Sequence, residues 1–481
     1  MATLADRLRS IVAPSSARSA DSVDSSGQTG EVDLIGSGAN DSSGADLVSS
    51  PHRRARGADL ARSATSNAAD VLGGEWRDDY LVVERKYSPG HRHGRIAIAD
   101  AAPPVEGWSR LGLLGGGDSR CLFLDLETTG LAGGAGTYAF LVGLGWFESG
   151  GFRIRQFFLA SYAAERMLLE AVRSIAHDRE TVVTYNGKSF DLPVLETRFV
   201  LHRGETPFAG MPHVDMLHTA RRLWRPSVAD ASSERDDEPG RHSPQVDHGR
   251  VGRSPQGEGG CRLIALEEAL CGHAREGDVP GFEIPARYFH YVRSGDARQL
   301  EAVLEHNRLD LLSLALLTAR AADLLEDGPA STRIAREALG LGQIYERGGL
   351  LTEACAAFGH AASCAHSDIV TRAEALRALA VVCRRQRRYE DAAAAWRRVV
   401  GLGGCPPAIA REASEALAVH HEHRSRDLQA ARSFALDSLR MPGTPARRDA
   451  LQHRLARLER KIGDRRLRPL FGEPASADRP W

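Results

Sequence analysis

The chain has 481 residues, with 62 Lys and Arg against 63 Asp and Glu and a formal net charge of −1. That length favours two or three domains over one core, and the balanced charge announces no global affinity for a polyanion. No apolar run approaches the roughly 18 residues of a membrane helix, the N-terminus lacks a secretory core, and the seven cysteines, with no C-x-x-C pair, suggest neither a disulfide framework nor a zinc site. The expectation is a soluble, cytoplasmic protein with reduced thiols.

Residues 1–72 are rich in Ser, Asp, Gly and Ala and carry few large apolar groups. Such a segment cannot bury enough surface to offset the entropy of ordering, so it is expected to be disordered. A β-rich lead-in follows, with YLVVERKY at 80–87, a turn at SPGHRHG and RIAIAD at 95–100. CLFLDLE at 121–127 is an apolar run suited to a sheet covered on both faces. TYAFLVGLGWF at 137–147, a turn at Ser149-Gly150-Gly151 and FRIRQFFLA at 152–160 complete an antiparallel meander. Residues 163–177 are spaced as a helix, 181–186 as a strand, and 189–203 as a helix with Pro193 in its first turn. Three strands followed by alternating helix and strand give an α/β plan with a mixed sheet.

Residues 227–260 turn to Ser, Asp, Glu, Arg, Pro and Gly, the composition of a flexible insertion. Regular pattern resumes at CRLIALEEALCG (261–272) and continues into a long helix over 299–325. Beyond it the chain repeats. Leu341, Leu379 and Leu417 recur every 38 residues, as do Ala354, Ala392 and Ala430, and Phe358, Trp396 and Phe434. Small residues followed four positions later by large aromatics fit closely packed helix pairs, so residues 331–462 are expected to form an all-α, TPR-like domain. A terminal helix at 447–462 would cap it, leaving 463–481 as a tail.

The chemistry lies in carboxylates. Asp125 and Glu127 are two apart on a strand and leave the same face. Placed at the end of an apolar run they repel each other and lose hydration, and a hard divalent cation such as Mg²⁺ or Mn²⁺ offsets both effects. Alone, D-x-E is a weak signal. Asp191 opens a helix after Tyr185-Asn186-Gly187, where an acid also favours the helix dipole. Asp310 sits in the apolar helix HNRLDLLSLALL, where a solvated Asp is the plainer reading. All three features in this chain order make a site the better explanation.

LDLETTGL, YNGKSFDLPVL and HNRLD resemble the three sequence blocks of the DEDD (DnaQ-like) 3′-5′ exonuclease superfamily. With GGAGTYAFLVG, VDMLHTARRLW, CRLIALEEAL, DVPGFEIP and EHNRLDLLSL, the run is similar to the bacterial YprB-type group, a ribonuclease-H-like domain followed by TPR repeats. The resemblance places the ribonuclease-H-like exonuclease domain at 73–326. It implies a two-metal phosphodiester cut, with Asp125, Glu127 and Asp310 around the ion that activates water and Asp125 and Asp191 around the second. The superfamily places a general base His five residues, or a Tyr four residues, before the last Asp. Here position 305 is Glu and 306 is His, matching neither branch. His306 lies one turn from Asp310 and is either that base or a structural hydrogen-bonding group.

Thr128, Asn186 and Lys188 are candidate substrate contacts, although a loop lysine is usually solvated and Asn186 suits a turn. Asp215 resembles a structural element of such exonucleases and is left out of the metal site. Tyr288 and Tyr291 are one turn apart, and core packing is their commoner use. Residues 331–481 carry 26 Arg and Lys against 17 Asp and Glu, with Arg384, Arg385, Arg387 and Arg388 clustered. This surplus would guide nucleic acid or belong to an Arg-rich solvated surface, while the repeats would offer a face to a protein partner. Two functions follow: a nuclease acting on DNA or RNA, with single-stranded ends as its expected substrate, or a nucleic-acid-binding scaffold that does not cut.

Overall fold

The computed structural model describes residues 68–104, 107–117, 120–130, 134–225 and 261–467. The expected insertion at 227–260 therefore lies outside the described residues, as does most of the segment 1–72. Residues 68–72 do not continue that expectation: they are helical, and Ala68 and Leu72 are buried in the core. Two apolar side chains one turn apart are enough to seat this short stretch against the sheet.

Nine strands form. β1 (Glu75–Arg77), β2 (Tyr80–Tyr87), β5 (Cys121–Thr128), β6 (Ala139–Glu148), β7 (Gly151–Phe158), β8 (Thr181–Thr184) and β9 (His213–Asp215) make one seven-stranded sheet. Its order is β1-β2-β7-β6-β5-β8-β9. β5, β6 and β7 are the antiparallel meander, and Ser149 and Gly150 both adopt positive φ in the tight turn that joins β6 to β7. β8 and β9 run parallel to β5. The sheet is thus mixed, as its sequence pattern implied.

RIAIAD departs from its strand pattern. Only Ile96–Ala97 (β4) is extended, paired with Arg92–His93 (β3) in a separate hairpin. The chain then makes a helical turn at Ile98–Ala101, where Asp100 accepts a hydrogen bond from the Ala97 amide and Ile98 is fully buried. Capping and burial override alternation there.

Alternation along β5 sends Leu122, Leu124 and Leu126 into one core and Phe123 into the other. The first is covered by α1 (Glu165–His177), α2 (Asp191–Leu201) and α4 (Ile284–Ser294), among others. The second lies under α3 (Met216–Leu223) and α5 (Glu301–Asp327) and runs on without a break into the C-terminal helices. Tyr288 stacks on Phe140 at 4.1 Å and donates its hydroxyl to the Leu159 carbonyl, so it belongs to the core.

The C-terminal region is all-helical: α6 (Ala335–Arg347), α7 (Leu351–Ser363), α8 (Ile369–Arg385), α9 (Tyr389–Val400), α10 (Pro407–His423), α11 (Leu428–Arg440) and α12 (Pro445–Leu467). The last helix runs past the expected end at 462. Three buried-side partners explain its docking, since Arg454, Arg457 and Lys461 all donate to the fully buried Glu422 of α10. Gly342 of α6 lies against the Phe358 ring of α7, where a Cβ would collide. Of the clustered arginines, Arg385 pairs with Glu346 and Arg388 with Asp391, so the cluster presents less free charge than its composition implies. No described helix is long and apolar enough to cross a membrane.

Candidate active site

β5 carries Asp125 and Glu127 on the face opposite Leu124 and Leu126. Asp125 lies across from Gly143 of β6, and the missing Cβ there matters: a side chain at 143 would strike the Asn307 amide. Asn307, fully buried on α5, fills that space and donates to Asp125 Oδ2 at 2.7 Å and to the Asp125 carbonyl at 3.2 Å. Gln156 of β7 in turn donates to Asn307 Oδ1 at 2.8 Å and to the Leu304 carbonyl at 2.7 Å. The Asp125 carboxylate is therefore oriented by a relay across three strands and a helix.

β8 pairs with β5 only along Cys121–Phe123, so the backbone of β5 beyond that point is open on this side. Asp191, the first residue of α2, occupies the opening, and the Leu126 amide hydrogen-bonds to its carboxylate. The turn before it is fixed by Asp215, whose carboxylate accepts from the amides of Asn186 (2.8 Å), Lys188 (3.2 Å) and Leu217 (3.1 Å). Asn186 has φ of 68°, a left-handed conformation that Asn tolerates, and Gly187 packs against Thr184, where a Cβ would lie 2.5 Å from its side chain. Asp215 is a turn-and-cap residue and stands outside the acid group.

Asp310 comes from α5, one turn after Asn307 and on the same side. Its Oδ1 accepts from Arg275 Nη2 at 2.6 Å, and its Oδ2 is 3.6 Å from His306 Nε2. His306 Nδ1 is held 2.7 Å from Asp278 Oδ1. Arg275, almost wholly buried, also reaches Glu267 at 2.6 Å and Asp278 at 3.2 Å.

The electrostatics show which groups share one space. Burial pushes the Asp125 pKa well above the carboxylate range, and the charges of Asp310, Glu127 and Asp191 push it further. Burial does the same to Glu127, aided by Asp310, Asp191 and Asp278. Asp191 is pushed up to about 7, by burial first and then by Asp215 and Asp310, against the lowering effect of backbone amides. Burial raises Asp310 as well, opposed by Arg275 and His306. These shifts place the acids in one shared space, with Arg275 offsetting the charge at Asp310. Asp125, Glu127 and Asp310 keep part of their surface open to solvent, so the site is a cleft.

Hard oxygen donors with no His or Cys among them fit Mg²⁺ or Mn²⁺. Their oxygens do not form a tight single-ion cluster; among the described residues that distinction belongs to His93, Glu267 and His273.

The sequence candidates are thus distributed unevenly. Asp125, Glu127, Asp191 and Asp310 converge, with His306 beside the last. Thr128 donates its hydroxyl to the Gly130 carbonyl and holds the turn after β5. Lys188 is exposed, and its charge, with burial as the larger cause, helps hold His213 down at about 4. Sequence reasoning missed Asn307, Gln156, Arg275, Asp278 and Glu267. Asn307 and Asp278 lay within motifs already noticed, but only the fold brings their side chains to the acids.

A ribonuclease-H-like domain is the class that this sheet order and acid placement define. The RNase_H superfamily profile matches residues 122–322, and that stretch is a ribonuclease-H-like domain. The chain is 31% identical over 250 residues to uncharacterized protein YprB of Bacillus subtilis (strain 168). That match takes in 50% of this chain and 53% of YprB, so the chain spans about half the length of the relative. Such a domain points to nuclease-type chemistry on nucleic acid, and folds of this class generally use divalent metal ions.

Proposed function

We propose that the domain is a 3′-5′ exonuclease that hydrolyses phosphodiester bonds of DNA or RNA with two Mg²⁺ or Mn²⁺ ions per site. The observation that carries this reading is the convergence of Asp125 and Glu127 from β5, Asp191 from the start of α2 and Asp310 from α5, each raised in pKa by burial and the first three also by neighbouring acids of the group. Asp125, Glu127 and Asp310 would hold one ion, and Asp125 and Asp191 the other. When bound, such ions supply a more acidic water and offset the charge that grows on the scissile phosphate.

The chain's own residues do the rest. Asn307 and Gln156 fix the Asp125 carboxylate. Asp278 anchors His306 through Nδ1, which leaves Nε2 on the Asp310 side as the atom to accept a proton. Thr128, Asn186 and Lys188, on the two turns that border the cleft, are the substrate contacts in this reading. The TPR-like repeats would receive a protein partner. A cavity of about 410 Å³ lined by Trp396, Tyr389, His420 and Arg384 among others lies on that region.

One observation favours a second reading, a nucleic-acid-binding scaffold of weak or no activity: Arg275 already occupies an Asp310 oxygen. Single strands of DNA and RNA, labelled at the 5′ end and incubated with Mg²⁺, Mn²⁺ or EDTA, separate the two. The exonuclease reading expects a descending ladder of labelled products that EDTA abolishes. Retarded but uncut strands under every condition would establish the scaffold.

A further inference from the structure

Away from the four acids, His93 of the β3–β4 hairpin meets Glu267 and His273, which flank the last helical residues before Gly272. The His93 Nε2 atom is 2.7 Å from Glu267 Oε1, and His273 Nε2 is 3.9 Å from the same oxygen. The two imidazoles stack with centroids 4.1 Å apart, and one ligand atom from each of the three residues lies within 4.8 Å of the other two. Glu267 is fully buried and His93 nearly so.

A single proton can bridge His93 and Glu267, but it leaves His273 too far from that oxygen for a hydrogen bond. One cation placed between them satisfies all three groups. The Arg275 guanidinium is divided among Glu267, Asp278 and Asp310. Its bond to Glu267 Oε2 at 2.6 Å fixes the carboxylate so that Oε1 faces the two rings, the usual task of a residue behind a metal ligand.

We propose that His93 Nε2, His273 Nε2 and Glu267 Oε1 form a second metal site, for a zinc-class transition ion, separate from the acids of the cleft. Two imidazoles and one carboxylate select Zn²⁺ over Mg²⁺. Zinc bonds of about 2.0–2.2 Å set tetrahedral donors about 3.4 Å apart, so small side-chain rotations would part His93 Nε2 from Glu267 Oε1 and bring His273 Nε2 closer. The Ser313 hydroxyl, 3.2 Å from His93 Nε2, stands on the side where a fourth ligand would bind. The ion would clip the hairpin to the segment that carries Arg275, and so steady the partner of Asp310. The cysteine count gave no hint of it, because its donors are His and Glu.

The test is zinc content of the full-length protein after exhaustive dialysis against metal-free buffer, for wild type, Asp125→Asn and His273→Ala. Wild type and Asp125→Asn are expected to retain one zinc per chain, and His273→Ala, folded by circular dichroism, to bind at least about tenfold more weakly. Equal retention by His273→Ala, or none by wild type, overturns the site. Should His273→Ala fail to fold, Co²⁺ loaded into the wild type decides. Intense visible bands of a tetrahedral nitrogen-containing site support the proposal, and only the weak spectrum of octahedral oxygen coordination defeats it.

Discussion

Single side chains decide whether the cleft is a metal site or a set of repelling acids. Asp191 is raised to about 7 by burial and by neighbouring charge. An acid whose folded pKa exceeds its unfolded value stabilises the fold below the unfolded pKa, and that contribution is lost as pH rises to the folded one. In metal-free buffer, the stability of wild type relative to Asp191→Asn should therefore fall between about pH 4 and about pH 7 and then level off. Thermal melts across that range check this, and a flat difference contradicts it. His306 is tested by rate against pH at saturating Mn²⁺. As general base, its replacement by Ala should remove a factor of about 10²–10⁴ in turnover and change the shape of the profile. Parallel profiles offset by less than roughly fivefold would assign it to holding Asp278 alone. Asn307→Ala should lower activity or metal affinity by about 10–100-fold while leaving the remaining acids in place, as loss of a residue behind a ligand commonly does.

At the level of elements, the site exists because three kinds of chain end meet. β5 outruns its pairing with β8, α2 begins in the gap, and α5 crosses the exposed face. Much of this was legible. Period-two spacing put Asp125 and Glu127 on one face, and helical spacing put His306 beside Asp310. Alternation also marked β5, β6 and β7 within a residue or two. Arg275 and Glu267 were not legible, since they lie on a short helical segment and its following loop, and neither periodicity nor spacing says which way such residues point. RIAIAD misled for a related reason: local capping by Asp100 competes with a pattern too short to enforce a strand. Gly143 is the element-scale test of the assembly. Gly143→Ala should drive Asn307 from Asp125 and cost activity about as much as Asn307→Ala, roughly 10–100-fold. Unchanged rates in a folded variant would show that the Asn307 contact does not position the acid.

The whole molecule is held as one body by the junction between the two regions. Gly340 of α6 sits directly on the Arg222 carbonyl, leaving no room for a side chain. Glu337, buried beside it, accepts from Trp224 Nε1 at 3.0 Å, from the Arg333 amide at 2.7 Å and from Arg320 at 3.4 Å. Glu337→Ala should destabilise by about 1.5–3 kcal/mol, the range for hydrogen bonds to a charged group, and calorimetry should still show the ribonuclease-H-like domain and the C-terminal helical region melting together. Two separated transitions in the wild type would show that the shared core does not couple them. In the proposed reading, a helical region fixed so firmly to the ribonuclease-H-like domain would present a partner or strand to the cleft at a set angle. That role has meaning only if the cleft works. The most direct measurement is Mn²⁺-dependent cleavage of a 5′-labelled single strand by wild type and Asp125→Asn, compared side by side as folded proteins. Wild type should shorten the strand and Asp125→Asn should leave it intact, because Asn keeps the size of the side chain but removes the charge shared by both ions. Equal cleavage by the two proteins, or none by wild type, would contradict the assignment of these four acids to catalysis.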